Sequence, residues 1–172
     1  MTTHWEQILK DRVKLYGHRN WVVIADSAYP VQSRQGIETI AANDEQTTVV
    51  ERALAILRQC KHVRPAIYTD EELRFVPEGD APGVTLYRER LAHLLSGYEA
   101  SSLPHEEIIA MLDRVCETFR VLLIKTTMRI PYTSVFVELQ CGYWNSRAEN
   151  RLRTVIRFED RKRRARKRLQ KG

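Results

Sequence analysis

The sequence predicts an α/β fold, a three-layer sandwich with helices on both faces of a central sheet. Two observations carry that expectation. Residues 21–25 (WVVIA) and the centre of residues 119–125 (FRVLLIK) are apolar, β-branched runs without polar alternation, as expected of strands covered on both faces. Between such runs, apolar residues recur three or four apart, so helices and strands alternate along the chain.

Trp5, Ile8, Leu9, Val13 and the Leu15-Tyr16 pair follow helical spacing, which makes the first element an amphipathic helix ended by Gly17. The strand 21–25 follows, with Asp26 at its carboxyl end. A polar loop 31–36 leads to a second short strand, 37–42. Asn43 or Asp44 is a suitable N-cap for the next helix, whose buried stripe is Val49, Val50, Ala53, Leu54, Ile56 and Leu57. Residues 65–69 form a third strand. The Pro- and Gly-rich acidic stretch 70–83 reads as a solvent-facing loop. Tyr87, Leu91, Leu94 and Leu95 mark a helix that stops at Gly97. A further helix starts near residues 102–107, with Pro104 early and acids in its first turn, and Ile108, Ile109, Leu112 and Val115 line its inner face. The strand 119–125, a loop 126–131 and a last strand 132–142 complete the sandwich.

Charge divides the chain in two. The net +6 arises from residues 147–172, where twelve Lys and Arg meet three acids for a local +9; residues 1–146 carry −3. A domain 1–144 followed by a basic helical extension 145–172 is therefore expected, the extension being a candidate contact for RNA or an acidic partner. Cys60, Cys116 and Cys141 are odd in number and widely spaced, so they read as buried free thiols of a reducing cytoplasm. The N-terminus has no basic-then-apolar leader pattern and no run is long enough to span a bilayer. No Gly run suited to phosphates, no Gly-x-Ser-x-Gly elbow and no metal-type spacing of His and Cys occurs, and no cofactor is expected. His4, His62 and His93 read as surface or core residues.

The residues that stand out are His18 before the first strand and Asp26 after it. The carboxyl edge of an open α/β sheet is where ligand groups collect. On position alone, Asp26 either meets a ligand or caps a turn, and His18 either acts chemically or fills a Gly-His turn. Gly17-His18, the apolar strand and Asp26-Ser-Ala-Tyr-Pro30 resemble a segment of the ribose pyranase and fucose mutarotase family. The Tyr132-Thr-Ser134 stretch before a terminal apolar strand is similar to the family's Tyr-x-Asn ending, and Leu103-Pro-His105-Glu-Glu to a His-Glu helix start in its pyranase branch. The resemblance spans roughly residues 13–142. It departs at Asn20, where the family has aspartate, at Ser134 in place of asparagine, at Ile109 in place of lysine, and at Thr127-Met128 in place of Gly-Glu.

The resemblance implies an RbsD/FucU-like mixed sheet and a protein that interconverts ring forms or anomers of a free monosaccharide. Opening a hemiacetal needs one base for the anomeric hydroxyl and one acid for the ring oxygen, and histidine suits either task near neutral pH. By resemblance, His18 is the leading acid/base, Asp26 orients it or binds sugar hydroxyls, and Tyr132 hydrogen-bonds at the ring. His105 is a second acid/base and sugar contact, Ser134 replaces the family amide, and Glu38 stands where the family has an acid. The resemblance also implies a ring-like homo-oligomer with sites between subunits. The alternative is a non-enzymatic α/β module acting through its basic extension.

Overall fold

A computed structural model describes residues 2–169 as one six-stranded mixed sheet with helices on both faces. In chain order the elements are α1 (His4–Leu15), β1 (Trp21–Ala25), β2 (Ile37–Ala41), α2 (Gln46–Arg58), β3 (Val63–Asp70), a 3-10 helix (Glu71–Phe75), α3 (Val84–Leu95), β4 (Glu99–Leu103), α4 (His105–Val115), β5 (Val121–Lys125), β6 (Val135–Cys141) and α5 (Ser146–Leu169). Strand order is β2-β5-β1-β6-β3-β4. β1, β2 and β5 are mutually parallel, as are β3 and β4, and β6 is antiparallel to both β1 and β3. Five strands therefore point one way, and their carboxyl ends share an edge with the start of β6.

The continuous apolar runs have the predicted cause. All five residues of β1 are buried, because Val22 and Ile24 face α1, α2 and α3 while Trp21, Val23 and Ala25 face α4. Trp5, Leu9 and Val13 pack the α1 stripe onto the first face, and Ile108 and Leu112 of α4 fill the second. Removing such side chains from water at about 25 cal/mol per Å² is the dominant force holding the three layers together. At the start of α1, the Glu6 carboxylate accepts the Thr3 N–H at 2.6 Å, satisfying one otherwise orphaned helix donor.

Several expectations are corrected. Gly17 does not close α1 with a left-handed residue; Tyr16 leaves in extended geometry, and the positive φ falls on Arg19 (φ 74°). Gly97 (φ 88°) does take that role after α3. α2 starts at Gln46, with Glu45 as its N-cap, and Asp44 instead accepts the Trp5 indole N–H at 3.1 Å. The stretch 70–83 is only partly a solvent-facing loop: Asp70 ends β3 at 2% exposure, and a 3-10 helix with buried Leu73 follows. Residues 132–134 precede the last strand and do not belong to it. β4 was not expected, since its Glu-Ala-Ser-Ser-Leu sequence lacks apolar alternation; it is an exposed edge strand held by the backbone of β3. Of the three free cysteines, Cys116 is buried, whereas Cys60 and Cys141 are half-buried. Among the described residues, no helix is long and apolar enough to cross a membrane.

Candidate functional site

The carboxyl edge brings residues distant in sequence to one place. Asp70 ends β3, His105 follows β4 as the first residue of α4, Asp26 follows β1, Thr126 follows β5, and Tyr132 to Ser134 lead into β6. His105 donates from Nδ1 to Asp70 Oδ1 at 3.0 Å, an imidazole 29% exposed held by a carboxylate side chain 1% exposed. That bond engages Nδ1 and leaves Nε2 as the ring nitrogen not used by Asp70. The His105 backbone is held as well, its N–H donating to both Glu72 carboxylate oxygens at 3.0 and 3.1 Å. Tyr132 meets the His105 ring edge-on, centroids 5.6 Å apart at 81°.

The electrostatics fit a group kept from water. Burial pushes the Asp70 carboxyl above its usual range; the His105 hydrogen bond opposes this, and the charges of Glu72 and Asp26 add to it. Asp70 Oδ2 is buried without a partner. Tyr29 is 7% exposed, its hydroxyl is likewise unpartnered, and burial beside Asp70, Asp113 and Asp26 raises it to about 12. Unsatisfied buried polar atoms are uncommon enough to call for an explanation, and one of these belongs to the carboxylate that holds the His105 imidazole.

A buried network fixes the loop before β6. Thr126 Oγ1 lies 3.0 Å from both Ala25 O and Gln46 Oε1, which share its single hydroxyl proton. Gln46 Nε2 donates to Tyr87 Oη at 3.1 Å and also to Thr133 O, and Tyr87 Oη donates to Thr133 O at 2.7 Å. Thr133 Oγ1 reaches Ile130 O at 2.8 Å. Tyr132, between these anchors, sits at φ 59°, a left-handed conformation costly for a bulky residue. The surrounding bonds hold it there, 40% exposed and against His105.

The other sequence candidates are placed as follows. Asp26 accepts the Ala28 N–H at 2.9 Å, closing an Asx turn, and is half-exposed at the same edge. Ser134 is buried (3%) immediately before β6. Glu38 is the second residue of edge strand β2, in a two-pronged ion pair with Arg12 (2.6 and 2.7 Å) that holds its carboxyl below the usual range. It is away from the carboxyl edge. His18 is exposed at the opposite edge, in an open cleft with Cys141, Tyr143, Trp144 and Glu149. At about 3.3 Å per residue, β1 and its flanks separate His18 from Asp26 by roughly 20 Å, so Asp26 does not orient His18 of the same chain.

Asp70, Tyr29, Glu72 and Gln46 were missed. The signal for Asp70 was present: it follows the apolar run 65–69 as Asp26 follows 21–25.

No protein-family model matches this chain, and no curated protein sequence does. Solved structures do. The Bacillus subtilis RbsD structure, complexed with D-ribose, superposes with TM-score 0.51 at 22% identity, covering 84% of this chain and 95% of RbsD. The Streptococcus pneumoniae fucose mutarotase, in complex with L-fucose, gives TM-score 0.50 at 14% identity over 76% of this chain and 89% of its own. The six-stranded mixed sheet and its covering helices thus form an RbsD/FucU-like fold.

Proposed function

We propose that this protein binds a free monosaccharide at the carboxyl edge of its sheet and interconverts the sugar's anomers or ring forms by acid/base catalysis. The observation that carries the reading is the His105–Asp70 pair, an imidazole oriented by a buried carboxylate beside Tyr132. His105 Nε2 takes the proton of the anomeric hydroxyl as the bond from C1 to the ring oxygen breaks. The ring oxygen gains a proton from His18 of a second copy, and Tyr132 supports it with a hydrogen bond. Rotation about C1–C2 and the reverse transfers close the other anomer. Asp26 binds sugar hydroxyls with its free oxygen, and Ser134 lines the inner wall. Glu38 is engaged by Arg12 and takes no part.

His18 reaches this cluster only from a second copy, so the reading includes a homo-oligomer in which the His18 edge of one subunit meets the His105 edge of the next. The supports are the distance between the edges and the resemblance around Gly17-His18. The test is exchange spectroscopy of the anomeric protons of ribose, fucose, galactose and glucose at neutral pH. The parent should accelerate exchange of at least one sugar, and His105→Gln should remove most of the acceleration, since a positioned acid/base contributes about 10²–10⁴-fold. Equal exchange by the variant would sink the mechanism.

A second reading, a binding module acting through residues 147–172, is favoured by the exposure of α5, most of whose described residues face solvent.

A further inference from the structure

We propose that the unpaired arginine face of α5 is a binding surface for the phosphodiester backbone of nucleic acid. This rests on the module reading and is independent of the sugar site. The three acids of α5 are each taken by a neighbour: Glu149 by Arg153 at 2.6 Å, Glu159 by Lys162 at 3.7 Å, and Asp160 by Arg163 at 2.7 Å. Among the described residues, Arg147, Arg151, Arg157, Arg161, Arg164 and Arg166 have no acidic partner, and all six are exposed.

Arg157, Arg161 and Arg164 stand four and three residues apart, so they share one face of the helix. At 1.5 Å rise per residue they cover about 10 Å of the axis, with neighbouring guanidiniums roughly one turn apart. A helix does not gain from such a row: like charges at this spacing cost a few tenths of a kcal/mol per pair. A closely spaced line of anions relieves the repulsion. Nucleic acid provides one, with a phosphate every ~3.4 Å per strand. Among the described residues of α5, the six cations without an acidic partner are all arginine, whose planar fork matches phosphate oxygens two at a time, which a lysine point charge does not do. Residues 1–146, at −3, offer a polyanion no net attraction, so the excess positive charge lies in the extension.

The experiment uses the full chain and a fluorescein-labelled uridine oligonucleotide of about 20 residues, followed by anisotropy at increasing KCl. If four to six phosphates are neutralised, log K should fall with log salt at a slope of about −3 to −4. The triple variant R157Q/R161Q/R164Q keeps helix propensity and removes the three charges. It should melt like the parent, bind at least tenfold more weakly at 100 mM salt, and show a slope shallower by about 2. Arg90→Gln, on α3, should change neither affinity nor slope. Unlabelled single-stranded RNA and duplex DNA should both compete, and the tighter competitor identifies the source of the phosphodiester. Affinity unchanged in the triple variant overturns the proposal. So does displacement by polyglutamate of equal charge as effectively as by RNA, an outcome that leaves the module reading standing with an acidic protein as partner.

Discussion

The two edges of this sheet are built differently. At the carboxyl edge, strand ends deliver Asp70, His105, Thr126 and the Tyr132 loop into a partly buried, hydrogen-bonded cluster. At the other edge His18 lies exposed beside Tyr143 (80% exposed) and Trp144 (45%), in an open cleft beside the root of α5. The difference follows from strand direction. Five strands run one way, so residues 26, 70, 105 and 126 converge on a single edge although up to a hundred positions separate them, while the amino edge receives loops with fewer demands on them. A buried cluster can orient an imidazole within one chain, whereas an exposed histidine needs a partner surface to do chemistry.

The sharpest way to break that contrast is complementation. If a site takes His105 from one copy and His18 from the next, His18→Ala and His105→Ala should each lose about a hundredfold or more of the anomer exchange. Unfolded together and refolded as a mixture, they should recover about one quarter of the parental rate, the share of sites that pair the two intact residues by chance. A mixture as inactive as its components would mean that the two edges do not share a site.

Asp70→Asn should separate function from stability. Loss of the carboxylate that orients His105 should slow exchange roughly tenfold to a hundredfold. Stability should move the other way at neutral pH. Burial raises the folded-state pKa of Asp70 above its usual 3.8, so its favourable contribution is complete below 3.8 and is lost as pH rises through the folded value. The melting temperature of the variant relative to the parent should therefore increase across that window and level off above it. A difference independent of pH would show that Asp70 is not penalised by burial.

Tyr87→Phe tests whether the rigid edge depends on its buried network. The hydroxyl donates to Thr133 O and accepts from Gln46, so its loss leaves one buried Gln46 N–H without an acceptor while Thr133 O keeps its bond from Gln46, and urea unfolding should show a loss of about 1–3 kcal/mol. If the network also positions Tyr132, the affinity for sugar should weaken, and Tyr132→Phe should not weaken it further in the double variant.

The smallest effect is expected at Glu78, on the exposed segment before α3. Its carboxylate accepts the Gly83 N–H at 2.6 Å and the Thr85 N–H at 2.9 Å at the start of α3, which lowers its pKa to about 2. This contribution is present above the ordinary value of 4.5 and lost as pH falls toward 2. Glu78→Gln should lower the melting temperature slightly at neutral pH, with the gap to the parent closing in acid, and leave anomer exchange unchanged.

The sequence by itself determined the layered α/β class, because a strand covered on both faces has to be apolar throughout and Trp21–Ala25 is. It also set His18 before that strand and Asp26 after it, which already implied a strand's length between them. The division of charge between residues 1–146 and the extension was legible too, since charge is additive along a chain. Tertiary structure alone decided which polar residues meet. Asp70 and Asp26 both follow apolar runs, yet only Asp70 receives an imidazole, because β3 pairs with β4 and brings the start of α4 beside its own end. β4 could not be read from Glu-Ala-Ser-Ser-Leu, since an edge strand is held by its neighbour's backbone hydrogen bonds and leaves no apolar pattern. Gln46, at the head of a predicted helix, became the buried link between Thr126 and Thr133 only once the end of β5 and the start of β6 lay on either side of it. Local pattern reports which face of an element is apolar; strand order and direction, which depend on pairings far apart in sequence, decide which side chains share an edge.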